Sequence, residues 1–116
     1  MLIEAVIVVA ASASDQAAWL DAHAVPPDEI ALGFDDTYGL AETLIEEGHL
    51  SREVLPSLQM IDEVFGEMTR DTDGDRWTRQ ALSTDPGWGR ARDLARAVLA
   101  AEGEDRSPLP SICVIR

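Results

Sequence analysis

The chain reads as a mainly α fold: a compact bundle of four to five short helices in a single domain spanning 1–116. Strand-like runs near its two ends could pair as a small two-stranded piece. Three observations predict this. Apolar residues in the middle of the chain recur by threes and fours, the spacing of a helix face. Helix-starting and helix-stopping residues bracket most of these runs. A hydrophobic content of 46% in 116 residues supplies one self-sufficient core.

In chain order, Leu2–Val9 is short, apolar and β-branched, which favours a buried strand. One long N-terminal helix running on to His23 is the alternative, because nearly every position is apolar and periodicity cannot decide. Ser12-x-x-Asp15 reads as a helix start, with Ala17, Ala18, Trp19 and Leu20 in the helix and Pro26-Pro27 closing it. Ile30-Ala31-Leu32 reads equally as strand or helical turn, and Gly33 weakens both. Asp36 or Thr37 is placed to cap a helix through Leu40, Ala41, Leu44 and Ile45 that stops at Gly48.

Ser51 starts the next segment, with an irregular lead-in at Ser51–Leu55 imposed by Pro56. Leu55, Leu58, Ile61, Val64, Phe65 and Met68 then make the clearest amphipathic helix of the chain. Asp71–Asp75 is a loop by composition, and a short helix through Trp77, Ala81 and Leu82 follows. Asp85-Pro86 opens the last helix, which carries Trp88, Ala91, Ala95, Val98 and Leu99 with Leu94 beside them and stops at Gly103. A polar linker, 104–111, leads to the strand-like Ile112–Ile115.

Charge carries the functional information. The first 51 residues hold ten carboxylates and no lysine or arginine. Residues 52–69 add four acids against one arginine, and 70–116 balance eight against eight, for a net charge of −13. So lopsided a field suits a positively charged partner. It disfavours direct binding to nucleic acid or to an anionic membrane, both of which need phosphate neutralisation. All nine basic residues are arginine, to which we attach no functional meaning.

The single cysteine, Cys113, rules out an internal disulfide and a multi-cysteine zinc site, and points to a reducing compartment. Met1–Ala13 contains an A-x-A pattern at Ala11-Ser12-Ala13, but Glu4 stands where a signal peptide needs basic charge. No apolar run is long enough to cross a membrane. A cytoplasmic location is expected.

No reaction chemistry is visible, and neither an enzyme nor a cofactor is expected. Asp71-x-Asp73-Gly74-Asp75 resembles a calcium loop only superficially. Counted from Asp71, the sixth position is Arg76 rather than glycine, and the twelfth is Leu82 rather than the closing glutamate. His23 and His49 each stand at the end of a predicted helix, where a capping role is ordinary. No metal site is expected from them. Cys113 lies in an apolar run, where a buried and inert thiol is the expected state.

Paired carboxylates at Asp28-Glu29, Asp35-Asp36, Glu46-Glu47 and Asp62-Glu63 read as a solvated acidic face rather than an acid/base pair. Tyr38, directly after Asp35-Asp36-Thr37, has the composition of a hot spot for a basic surface, although a tyrosine packed under its own helix is equally consistent. Trp19, Trp77 and Trp88 are expected on helix core faces.

One stretch carries a family resemblance. Leu58, Ile61-Asp62, Val64 and Met68 are followed by an acid- and glycine-containing gap, then by Trp77-Thr78, Ala81-Leu82, Asp85-Pro86-x-Trp88 and Ala91-Arg92-x-Leu94-Ala95-x-x-Val98-Leu99. This pattern resembles the small helical immunity proteins of bacterial polymorphic and contact-dependent toxin systems, the broad colicin-immunity-like group. It covers the second half of the chain and consists mostly of core and cap positions. The strand-like terminal runs depart from a plain four-helix bundle.

The resemblance implies a noncatalytic, acidic binder that blocks a cognate toxin domain, often a nuclease. The expected contact surface lies between Asp28 and Glu47: Asp28, Glu29, Asp35, Asp36, Tyr38, Glu42 and Glu46. On one continuous helix Tyr38, Glu42 and Glu46 would share a face, where the two glutamates repel until a basic partner relieves them. The alternative is a small acidic regulatory or adaptor protein, a nucleic-acid mimic or protein-docking module, with no toxin partner.

Overall fold

The computed structural model describes residues 2–71 and 76–103. Seven α-helices stand among the described residues, and no strand. They are α1 (Leu2–Ala10), α2 (Ala13–His23), α3 (Asp28–Tyr38), α4 (Ala41–Glu46), α5 (Leu55–Arg70), α6 (Arg79–Thr84) and α7 (Pro86–Glu102), with a 3₁₀ turn at Arg52–Val54 ahead of α5. The expected mainly α class stands, but the count of four to five helices falls short by α1 and α3. The expected strand pairing of the termini is overturned on the N-terminal side, since α1 is helical. Ile112–Ile115, Cys113 and the linker 104–111 lie outside the described residues.

The reason α1 is a helix is not local. Its β-branched run favours a strand in isolation. In place, α1 packs against α7 on one side and α3 on another, with Leu2, Val6, Val8, Val9 and Ala10 all buried. A helix whose residues are apolar except for the exposed Glu4 needs such a setting. Its terminal carbonyls would be orphaned inside the molecule, and other helices satisfy them. The buried Gln16 of α2 donates through Nε2 to Val8 O (3.1 Å) and Val9 O (3.0 Å). From α7, Arg96 Nε donates to Ala10 O (2.9 Å) and Arg92 Nε to Ala11 O (2.8 Å).

α2 begins as expected, with Ser12 Oγ accepting from Asp15 N, and ends before Pro26 at Ala24 in a left-handed conformation. α3 runs straight through Gly33 and buries Ile30 and Phe34, one helical turn apart. Thr37, expected as a cap, lies inside α3; its hydroxyl donates back to Gly33 O (3.1 Å) and Phe34 O (3.2 Å). Asp36 is likewise inside α3. The chain bends at Gly39-Leu40 before α4, so Tyr38, Glu42 and Glu46 do not lie on one continuous helix.

The predicted stop at Gly48 is present in detail. Gly48 takes φ +79° and donates to Ile45 O (3.1 Å), while His49 N reaches back to Leu44 O (2.8 Å). This is the paired hydrogen bonding of a glycine C-terminus.

In α5, Leu58, Ile61, Val64, Phe65 and Met68 are buried, as their spacing predicts. Asp85 caps α7 with Pro86 in the first turn, and Gly103 ends it at φ +73°. Trp77 precedes α6 rather than belonging to it; Thr78 is the cap, its hydroxyl accepting from Ala81 N (3.1 Å). α7 is the central element, packed against α1, α5 and α6, and it buries Trp88 completely. Trp88 meets Phe65 edge-on at 5.4 Å and Trp77 at 5.7 Å, forming the aromatic heart of one continuous core.

Candidate functional site: an acidic surface around Tyr38

The aromatic core extends outward to the surface at Tyr38. Phe65 contacts Phe34 edge-on at 6.1 Å, and Phe34 stacks on Tyr38 at 5.5 Å with the rings 15° apart. Tyr38, half-buried at the end of α3, is the outermost ring of this series. Its phenol is thus held by core packing, which removes conformational freedom that a binding tyrosine would otherwise lose.

The surroundings of that phenol are anionic. Its pKa is raised from the ordinary value, first by burial, then by the charges of Asp62, Glu42 and Glu63. Each cause disfavours the phenolate. Glu42 comes from α4, whereas Asp62 and Glu63 come from α5, which packs beside α3. The surface at Tyr38 is therefore built from three helices. Asp62-Glu63 is visible in the sequence as an acidic pair on the polar edge of the α5 stripe, but its distance along the chain from Tyr38 hides the association.

The expected contact residues fall into separate groups. Glu42 acts on Tyr38 across the turn at Gly39-Leu40. Glu46, one turn beyond Glu42 on α4, is exposed. Asp35 and Asp36 are exposed on the last turn of α3, before Tyr38. Asp28 and Glu29 lie in the first turn of that helix, a rise of about 15 Å from Tyr38 at the usual helical pitch. There they face the positive end of the helix dipole. The structure does not bring them to the tyrosine.

Internal arginines leave this surface largely unneutralised. Among the described residues, the ion pairs join Arg79 to Asp21 and Arg76 to Asp71 and Asp85. Of the ten N-terminal carboxylates, only Asp21 is ion-paired among the described residues. Arg76 holds Asp85 with two short bonds, Nε at 2.7 Å and Nη2 at 2.8 Å, and this hydrogen bonding lowers the Asp85 pKa. Arg92 donates from Nη2 to Gln16 Oε1 (2.9 Å) and Leu82 O (2.8 Å), in addition to Ala11 O. Arg92 and Arg96 spend their hydrogen bonds on carbonyl and amide oxygens that tie helices together, not on the acids of this surface.

No group of three or more His, Cys, Asp or Glu among the described residues is placed to hold a metal ion. His23, in the last turn of α2, has Nδ1 2.8 Å from Trp19 O and its ring 3.9 Å from the Trp19 ring. His49 contributes only its backbone to the Gly48 stop. Asp71, the first residue of the loop read against a calcium site, accepts from Arg76 at 3.3 Å; residues 72–75 lie outside the description. No helix among the described residues is long and apolar enough to cross a membrane.

No protein family, curated protein or solved structure matches the chain.

Proposed function

We propose that this protein is an immunity-type inhibitor, which binds a basic cognate toxin domain through its acidic surface and blocks it without catalysis. The observation that carries the reading is the Tyr38 phenol packed on Phe34 and acted on by the charges of Asp62, Glu42 and Glu63, with no arginine of the chain ion-paired to any of the three among the described residues. Like charges gathered around a fixed aromatic ring repel one another in the free protein. A partner's arginine or lysine relieves that repulsion and gains apolar contact with the ring.

Toxin domains that act on nucleic acid carry basic clefts, so an acidic inhibitor associates quickly and competes for the substrate's surface. Asp35, Asp36 and Glu46 extend the field around this centre. Asp28 and Glu29 act at its edge and contribute more to the rate of encounter than to the lifetime of the complex.

The test begins with capture of a toxin domain from the native host by the full chain. Inhibition of that domain is then measured for the parent protein and for Glu42→Lys/Asp62→Lys/Glu63→Lys. Reversing three charges at the centre of the contact surface is expected to weaken binding at least about a hundredfold. Reversing Asp28 and Glu29 should cost only about tenfold and mostly slow association. Full inhibition by the triple variant, with its helical content intact, refutes the proposal. Binding without inhibition supports the adaptor reading instead.

A further inference from the structure

We infer that α2 is a strap that opens as a unit while the remaining helices stay folded. Four features of the helix and its attachments lead there. In this 11-residue helix only Gln16 and Leu20 are fully buried, and one of those two is polar. By contrast α7 buries Trp88, Ala91, Ala95, Val98 and Leu99. Ala13, Ala17 and Trp19 pack against the core only in part, so less apolar area holds α2 down than α7, and regions with few buried apolar contacts open at lower free energy than the core.

The second feature is an unmade bond. Trp19 Nε1 is buried and has no hydrogen-bond partner. A buried donor without a protein acceptor contributes no hydrogen bond to the closure of α2.

Third, the exit from α2 is strained. Ala24 is the single non-glycine residue with positive φ among the described residues, at +55°. A Cβ in that conformation is unfavourable, and glycine is the usual occupant of such a helix end. Ala24 stands between the helix and Val25-Pro26-Pro27, where a hinge is needed.

Fourth, the attachments are polar and discrete. Arg79 of α6 forms an ion pair with Asp21 and donates to Ala17 O (3.2 Å). Gln16 joins Arg92 to the end of α1. Both partners of the Arg79–Asp21 pair are well exposed, at 45% and 69% of the side chain, so water can replace that link. Opening exposes Trp19, Leu20 and the Val8 and Val9 carbonyls, a surface quite distinct in chemistry from the acidic one at Tyr38.

Native-state hydrogen exchange on the full chain tests this at low denaturant concentrations. The α2 amides from Gln16 to His23 are expected to exchange at least about tenfold faster than those of Ala91–Leu99, with a much weaker dependence on denaturant. Ala24→Gly should slow exchange in α2 about fivefold, since relief of the strained φ outweighs glycine's added freedom in the open form. Arg79→Ala should speed it about threefold. Neither substitution should change the difference between α5 and α7. Equal protection and equal denaturant dependence for α2 and α7 would overturn the inference, as would variants that shift both helices together.

Discussion

Two glycines two residues apart on α7 should respond in opposite directions to the same substitution. A Cβ added at Gly87 would lie 2.7 Å from Arg76 Nη2, 2.9 Å from Met68 Sδ and 3.1 Å from Asp85 Oδ1. One added at Gly89 would meet nothing within 4 Å. Gly89→Ala therefore gains helix propensity alone, about 0.5–1 kcal/mol of stability. Gly87→Ala gains no more than that and must displace neighbours that are already engaged. Met68 is buried at 1% exposure, and Arg76 Nη2 is bound to Asp85 at 2.8 Å.

Overpacking of this kind costs about 1–3 kcal/mol. Loosening a charge-assisted bond adds about 1–2 kcal/mol, because Asp85 Oδ1 also caps Gly87 N at 2.7 Å. The net expectation for Gly87→Ala is a loss of about 2 kcal/mol, and the two variants should differ by about 3 kcal/mol. Urea unfolding followed by tryptophan fluorescence measures this, since Trp88 is buried one residue away. The midpoints should move apart without a change in slope. If both variants shift the same way by similar amounts, the close approach at the start of α7 is not what makes Gly87 necessary.

Other expectations follow from the polar contacts. Arg92→Ala removes bonds to Ala11 O, Gln16 Oε1 and Leu82 O, leaving the amide oxygen of the buried Gln16 without its donor, and should cost about 3 kcal/mol in the same unfolding assay. Arg92→Lys should recover less than half of that, because an ammonium cannot span the three acceptors of a planar guanidinium; near-complete recovery would contradict this.

Tyr38 is the chain's single tyrosine, so phenolate absorbance titrates it alone. Its folded pKa is raised above the ordinary 10.0. The associated stability is therefore complete below about pH 10 and is lost as pH rises through the folded value. Asp62→Asn or Glu42→Gln should pull the midpoint down toward the ordinary value, and added salt should do so in part. A midpoint unmoved by both substitutions would show that these carboxylates do not act on the phenol.

Much of the fold was legible where a local signal decides the outcome. The α5 stripe, the Ser12, Ser51 and Asp85 starts and the Gly48 and Gly103 stops each depend on residues within a few positions of one another. Their hydrogen bonds close over the same short range. The site was half legible for a related reason: Tyr38 and Glu42 are neighbours in sequence, while the charges of Asp62 and Glu63 act on the phenol only because α5 packs beside α3. Asp28 and Glu29 belong to the same acidic stretch, yet α3 carries them to its far end. A continuous Tyr38–Glu46 face failed because the chain turns at Gly39-Leu40, a break that apolar spacing alone does not reveal.

By itself, the sequence determined a helical core, the boundaries of α2, α5 and α7, and a concentration of negative charge in the first half of the chain. Only the tertiary structure decided that Leu2–Ala10 is a helix, that Trp77 stands outside one, and which carboxylates surround the tyrosine. The physical reason is the range of the interactions. Caps and amphipathic stripes are settled within a turn or two, whereas a segment with one charge among apolar residues takes its form from whatever buries it and bonds its C-terminal end. For α1 those groups are Gln16, Arg92 and Arg96, drawn from two other helices.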